Sequence, residues 1–152
     1  MPTVLVVDDS RMDQRLVGAL LKETPKLEVE YADNGIEALA QIKIQQPDLV
    51  ITDYLMPEMD GLELLLRVGR EHPLIPVILM TGYGTEEVAF KAARSGARAY
   101  VPKPALAKLL PGMVSQLLTL CKEKRELNRF LRTITDTDST FVIEDNDTTI
   151  IP

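Results

Sequence analysis

Tryptophan is absent from this chain of 152 residues, and cysteine and histidine occur once each, as Cys121 and His72. A lone cysteine excludes an internal disulfide and points to a reducing compartment, so a cytoplasmic setting is expected. Cys121 is expected to be a helix-packing residue. His72 precedes Pro73 at a predicted helix end, where it suits the helix dipole as a solvated residue rather than a metal ligand or phosphocarrier. Basic residues are too few to outweigh the acids, 17 against 23, for a net charge of -6. That balance disfavours direct binding to nucleic acid or to an anionic membrane. The N-terminal apolar run is broken by Asp8-Asp9, far too early for a signal peptide or a membrane span. The acids of the tail, Asp145 and Asp147 among them, lack the glycine and glutamate spacing of a calcium loop. Lys122 to Glu126 reads as a solvated face.

Short apolar runs that alternate with helical patterns are abundant. Val4 to Val7, Leu49 to Thr52, Val77 to Met80 and Ala99 to Val101 have the length and branching of buried strands. Leu27 to Tyr31 alternates apolar and polar residues, as an edge strand would. Between these runs, Ser10 and Thr85 are placed to cap helices, with acids in the first turns that follow. Asn34-Gly35 reads as a turn, and Asp60-Gly61 opens a third helix. Expected core stripes are Leu16, Val17, Leu20 and Leu21 on the first helix, and Ile36, Leu39, Ala40 and Ile42 on the second. The fold class that follows is α/β: a doubly wound five-stranded parallel sheet, order 2-1-3-4-5, with an extended C-terminal helix. This order leaves the half-polar second strand at an edge and sets the first and third strands side by side.

The last helix is long. Pro111 belongs in a first turn, where a missing N–H is tolerated, so the helix is expected to begin between Ala107 and Leu110. Leu106, Leu110, Met113, Leu117 and Leu120 recur with heptad spacing, and Leu127, Leu131 and Ile134 resume it. A helix from about 108 to about 134 spans roughly 40 Å. The organisation expected is a domain over 1–121, a helical extension over 122–134 that serves as a coiled coil or linker, and an acidic tail over 135–152. In that tail, Phe141-Val142-Ile143 and Ile150-Ile151 are short strand candidates against a background composition that suits disorder.

Polar residues end four of the apolar runs: Asp8 and Asp9, Asp53, Thr81, and Lys103. Parallel strands flanked by helices bring their C-terminal ends to one edge of the sheet, so these groups are expected to converge. Three carboxylates supply hard oxygen ligands suited to Mg²⁺, and a divalent ion relieves their repulsion. One carboxylate can attack phosphorus to form an acyl phosphate. Lys103 would balance charge on the transferred phosphoryl oxygens and Thr81 would hydrogen-bond another.

This constellation closely resembles the receiver domain of two-component response regulators. The match runs from about Thr3 to about Leu120 and is carried by Val-Asp8-Asp9-Ser, Asp53-Tyr-Leu-Met-Pro57-Glu-Met-Asp60-Gly61, Met-Thr81-Gly and Lys103-Pro104. The resemblance implies that Asp53 accepts phosphoryl from a histidine kinase or phosphotransfer protein. It implies Mg²⁺ held by Asp8, Asp9 and Asp53 with the Leu55 carbonyl, and a cis peptide before Pro104. Tyr100 stands where the family often carries a switching aromatic that turns inward when Thr81 moves. The implied output is an altered surface for a downstream protein target, and the heptad helix favours a homodimer. The chain would act as a single-domain regulator or as the input half of a longer protein. Catalysis is expected to be limited to phosphoryl acceptance and self-dephosphorylation. Leu55 and Tyr83 flank the site with apolar bulk where many chemotaxis-type receivers are polar, and they are expected either to shield the acyl phosphate from water or simply to pack the loop. The competing reading is a Mg²⁺-dependent aspartyl-phosphate phosphatase of the haloacid dehalogenase type. That class carries Asp-x-Asp on its first strand, whereas this strand ends in adjacent aspartates.

Overall fold

The computed structural model describes residues 1–82, 84–138, 141–144 and 147–150. Five strands, β1 (Thr3–Val7), β2 (Glu28–Ala32), β3 (Leu49–Asp53), β4 (Val77–Thr81) and β5 (Ala99–Pro102), alternate with α1 (Arg11–Leu21), α2 (Gly35–Ile44), α3 (Gly61–Glu71) and α4 (Glu86–Arg94). All pairings in this sheet are parallel and the order is β2-β1-β3-β4-β5, as expected from the sequence. Every residue of β1, β3 and β4 is buried, because both faces of the sheet carry helices. On one face Val4, Val6, Ile51, Ile78 and Met80 pack with Val17 and Leu21 of α1. On the other, Leu5, Val7 and Val50 pack with Ile42 of α2 and with Leu64, Leu65 and Val68 of α3.

The helix starts follow local chemistry. Ser10, Asn34, Asp60 and Thr85 each accept a hydrogen bond from the backbone N–H three residues on. Asn34 is therefore a helix cap rather than only a turn residue. The stripe of α2 differs from its sequence pattern: Ile36 is 54% exposed and Ala40 is exposed, while Gly35, Ala38 and Ile42 are buried. Gly35 is closely approached on this face: a Cβ there would lie 2.7 Å from Met59 Sδ and 3.0 Å from its Cγ, so Met59 would have to shift to admit a side chain.

A 3₁₀ turn over Lys103–Ala105 leads directly into α5 (Leu106–Asp138). The helix thus begins earlier than Pro111 suggested. Leu106, Leu110 and Val114 bury against the sheet, which fixes the helix start upstream of the proline. Pro111 deprives Ala107 of its helical N–H partner, and Ala107 is exposed, where water can serve its carbonyl. The Lys103–Pro104 peptide is trans, contrary to the expectation from family resemblance, and no described peptide bond is cis. Pro104 occupies the opening of a helical turn, where its missing N–H is not needed, and the Leu106 N–H donates to the Lys103 carbonyl.

The chain divides into two compact units, Met1–Leu118 and Thr119–Pro152. The second holds the C-terminal part of α5 and an antiparallel pair, β6 (Phe141–Glu144) and β7 (Asp147–Ile150). The two strand candidates of the tail thus pair with each other, although Ile151 lies outside the described residues. By length and composition alone residues 103–134 could cross a membrane, yet the first turns of α5 are already committed to the sheet.

Candidate functional site

Because β1 and β3 are adjacent and parallel, Asp8 at the end of one and Asp53 at the end of the other face a common edge. Ligand oxygens of Asp8, Asp9 and Asp53 all lie within 4.8 Å of one another. Asp8 and Asp53 are buried, and Asp9 is exposed at the rim. Burial raises the Asp8 pKa to about 6, against the lowering effect of the Ser10 N–H, which donates to Asp8 Oδ1 at 2.9 Å. Burial raises the Asp53 pKa as well, partly offset by Lys103. A cluster of hard oxygen donors that is costly to ionise without a counter-charge fits a divalent cation such as Mg²⁺.

Lys103 supplies the protein's own counter-charge. Its Nζ lies 3.3 Å from Asp8 Oδ2 and 3.3 Å from Asp53 Oδ1. Burial alone would lower the lysine pKa, but a hydrogen bond to Asp13 and the charges of Asp53, Asp8 and Asp13 raise it well above its usual value. The shortest contact, 2.7 Å, is to Asp13 Oδ2. Sequence reasoning treated Asp13 only as a first-turn acid. The signal available was its position, since α1 begins at the site and its first turn must border the same sheet edge. Gln14 was also missed: it is buried, and its Nε2 donates to the Asp8 carbonyl at 2.7 Å and to Asp33 Oδ1 at 2.8 Å.

Asp53 is held firmly. Its Oδ1 accepts the Tyr54 N–H at 3.0 Å, and Oδ2 accepts no hydrogen bond among the described residues. The Tyr54 N–H is itself 3.0 Å from Oδ1 while also donating to the Met80 carbonyl at 2.8 Å, which ties the β3 end to β4. Thr81 is buried at the end of β4, beside Pro102 in register. The loop after β3 is tight: the Met59 N–H donates to the Pro57 carbonyl at 2.8 Å, and Glu58 between them has φ +69°, a conformation that non-glycine residues rarely adopt. This turn directs Met56 and Met59 inward and leaves Leu55 58% exposed at the site's edge. Tyr83, the other expected flanking residue, lies outside the described residues. Tyr100 is half-buried, and its hydroxyl is sealed from solvent with no hydrogen-bond partner among the described residues.

Known proteins resemble this chain in sequence and fold. The model of the response regulator receiver domain matches residues 4–115. A protein-glutamate methylesterase/protein-glutamine glutaminase of Geobacillus kaustophilus is 44% identical over 104 residues, covering 66% of this chain and 30% of that protein. The DNA-binding transcriptional regulator NtrC of Salmonella typhimurium is 39% identical over 106 residues, covering 66% of this chain and 21% of that protein. The matches therefore span less than a third of either relative's length. Among solved structures, a CheY-like response regulator receiver domain protein from Methanospirillum hungatei superposes with TM-score 0.74 at 29% identity, covering 82% of this chain and 98% of that one. The Vibrio cholerae chemotaxis protein CheY4 superposes with TM-score 0.70 at 29% identity, covering 77% and 98%. With the family model matching residues 4–115 and the fold matching solved receiver domains, the chain belongs to the response regulator receiver family of two-component signalling.

Proposed function

We propose that Asp53 is the phosphoryl acceptor, loaded from the phosphohistidine of a histidine kinase or phosphotransfer protein, and that the loaded state switches a surface read by a downstream protein. The observation that carries this reading is the setting of Asp53: a buried carboxylate with Oδ1 fixed by the Tyr54 N–H, Lys103 at 3.3 Å, and two further aspartates within ligand distance. Asp8, Asp9, Asp53 and the Leu55 carbonyl would hold Mg²⁺, which when bound neutralises carboxylate charge and draws electron density from phosphoryl oxygens. In the transfer step Asp53 Oδ2 forms a bond to phosphorus while the phosphorus–nitrogen bond breaks, and the imidazole leaves with its electron pair. Lys103 and Thr81 hold the phosphoryl oxygens as charge shifts onto them. Hydrolysis returns the carboxylate and releases phosphate. Residues 1–121 form the receiver in this reading, 122–134 a helical extension for dimer formation, and 135–152 an acidic tail. The setting is cytoplasmic, with no direct contact to nucleic acid or membrane.

Incubation with acetyl phosphate and Mg²⁺, followed by mass spectrometry, tests the assignment. One phosphoryl group per chain is expected, mapped to Asp53, absent in Asp53→Asn and slowed in Asp9→Asn. Label on a different residue overturns the assignment, and sustained turnover of small phosphate esters would favour a phosphatase instead.

A further inference from the structure

The Lys103 ammonium has three donors and is surrounded by three carboxylates, yet its shortest contact is to the one outside the acid cluster. Asp13 Oδ2 holds it at 2.7 Å, against 3.3 Å for Asp8 and for Asp53. Asp13 cannot readily follow the lysine elsewhere. Its backbone N–H donates to Ser10 Oγ in the capped first turn of α1. The next residue, Gln14, clamps that turn to the end of β1 and to the loop after β2 through its bonds to the Asp8 carbonyl and Asp33 Oδ1. The Asp13 and Lys103 side chains are 32% and 21% exposed, so solvent screens their attraction only in part.

We propose that Asp13 is a positioning residue that competes with Asp53 for Lys103 in the resting protein, so that phosphoryl loading must loosen the lysine's closer contact with α1. The inference rests on Asp53 being the acceptor. A phosphoryl group on Asp53 carries more negative charge than the carboxylate it replaces and competes for the same ammonium. Each donor kept by Asp13 is withheld from the phosphoryl oxygens. Asp13 thereby sets how strong a phosphoryl donor, or how stable an acyl phosphate, is needed to turn the receiver on.

The test measures beryllofluoride binding at saturating Mg²⁺ by NMR titration of the full chain, with the Lys103 side-chain resonances followed in parallel. Asp13→Asn is expected to bind about tenfold more tightly than the natural protein, the effect of removing one partly screened charge contact. Asp13→Glu, which restores the grip, is expected to stay within about threefold of the natural protein on the same scale. In the unliganded Asp13→Asn protein the Lys103 resonances are expected to shift in the direction that beryllofluoride produces in the natural protein. Asp13→Ser serves as a second neutral variant should the asparagine protein fold poorly. Unchanged or weaker binding in the neutral variants overturns the proposal. So does tighter binding with Lys103 resonances unmoved, which would reflect bare charge repulsion. A natural protein that takes neither beryllofluoride nor acetyl-phosphate label on Asp53 sinks the acceptor assignment and this inference with it, whereas labelling of Asp53 with no gain in the neutral variants sinks only the role of Asp13.

Discussion

Gly61 stands against the end of β3 so closely that a Cβ there would collide with the Asp53 carbonyl oxygen, and would also lie 2.8 Å from Leu79 Cδ1 and 2.9 Å from Tyr54 Cα. The glycine lets the start of α3 sit on the strand that carries Asp53, and its N–H donates to the Tyr54 carbonyl at 2.7 Å. Gly61→Ala is therefore expected to cost ~1–3 kcal/mol of stability through overpacking. It should also lower acetyl phosphate labelling of Asp53, because the backbone that must yield is that of Asp53 and Tyr54. Urea unfolding together with the labelling rate checks both. Unchanged labelling in a destabilised variant would show that the site tolerates the displacement.

The raised pKa of Asp8 gives a pH dependence with a definite sign. Its folded-state value of about 6 lies above the value of 3.8 for a free aspartate, so the folded protein binds the proton more tightly. For the metal-free protein this group costs nothing below the unfolded value, and its penalty grows as pH rises through 6. The Asp53 shift has the same sign. Metal-free stability is expected to rise as pH falls from 7 toward 5, and Mg²⁺ affinity to fall over the same interval, because the ion must displace a proton. Asp8→Asn should raise metal-free stability by up to ~3 kcal/mol, at about 1.4 kcal/mol per pKa unit, and abolish stabilisation by Mg²⁺. Thermal melts with and without the ion at several pH values read out all three effects.

The buried Tyr100 hydroxyl faces Gly84, where a Cβ would meet it at 2.8 Å. An orphaned buried hydroxyl is a cost, and burial also pushes the phenol pKa up. Tyr100→Phe is expected to leave stability unchanged or to raise it by up to ~1 kcal/mol, with Asp53 labelling intact. Gly84→Ala should drive the ring away from its inward position, seen as altered Tyr100 ring resonances. A Tyr100→Phe protein that is clearly less stable would reveal a hydrogen bond made by this hydroxyl.

The C-terminal segment carries a separate expectation. Leu127 and Phe130 are 54% and 61% exposed on α5, on the stretch where heptad spacing resumes. Sedimentation of the whole chain should show a dimer, and removal of residues 122–152 a folded monomer. Self-association that survives the truncation would assign the dimer contact to the first unit.

Much of the architecture was legible because the signals are local. The fully apolar runs of β1, β3 and β4 read as strands buried on both faces, and the alternating Leu27 to Tyr31 read as an edge. Caps at Ser10, Asp60 and Thr85 needed only a side chain and an N–H three residues away. Once the strand order was fixed, Asp8, Asp9, Asp53, Thr81 and Lys103 had to end on one sheet edge, which is why the acid cluster was foreseen. The stripe of α2 was misread because periodicity reports which residues are apolar but not which one a neighbour such as Met59 crowds.

By itself, then, the sequence determined the alternation of strands and helices, the sheet order, the helix starts at Ser10, Asp60 and Thr85, and the set of groups gathered at one sheet edge. Tertiary structure alone decided that Lys103 gives its shortest contact to Asp13, 90 positions away, that Tyr100 tucks its hydroxyl beneath Gly84, and that Pro104 follows a trans bond into an early helix. Propensity and spacing act over a few residues, whereas the choice among three carboxylates for one ammonium turns on differences of less than an ångström, set by how α1, the sheet and the start of α5 pack together.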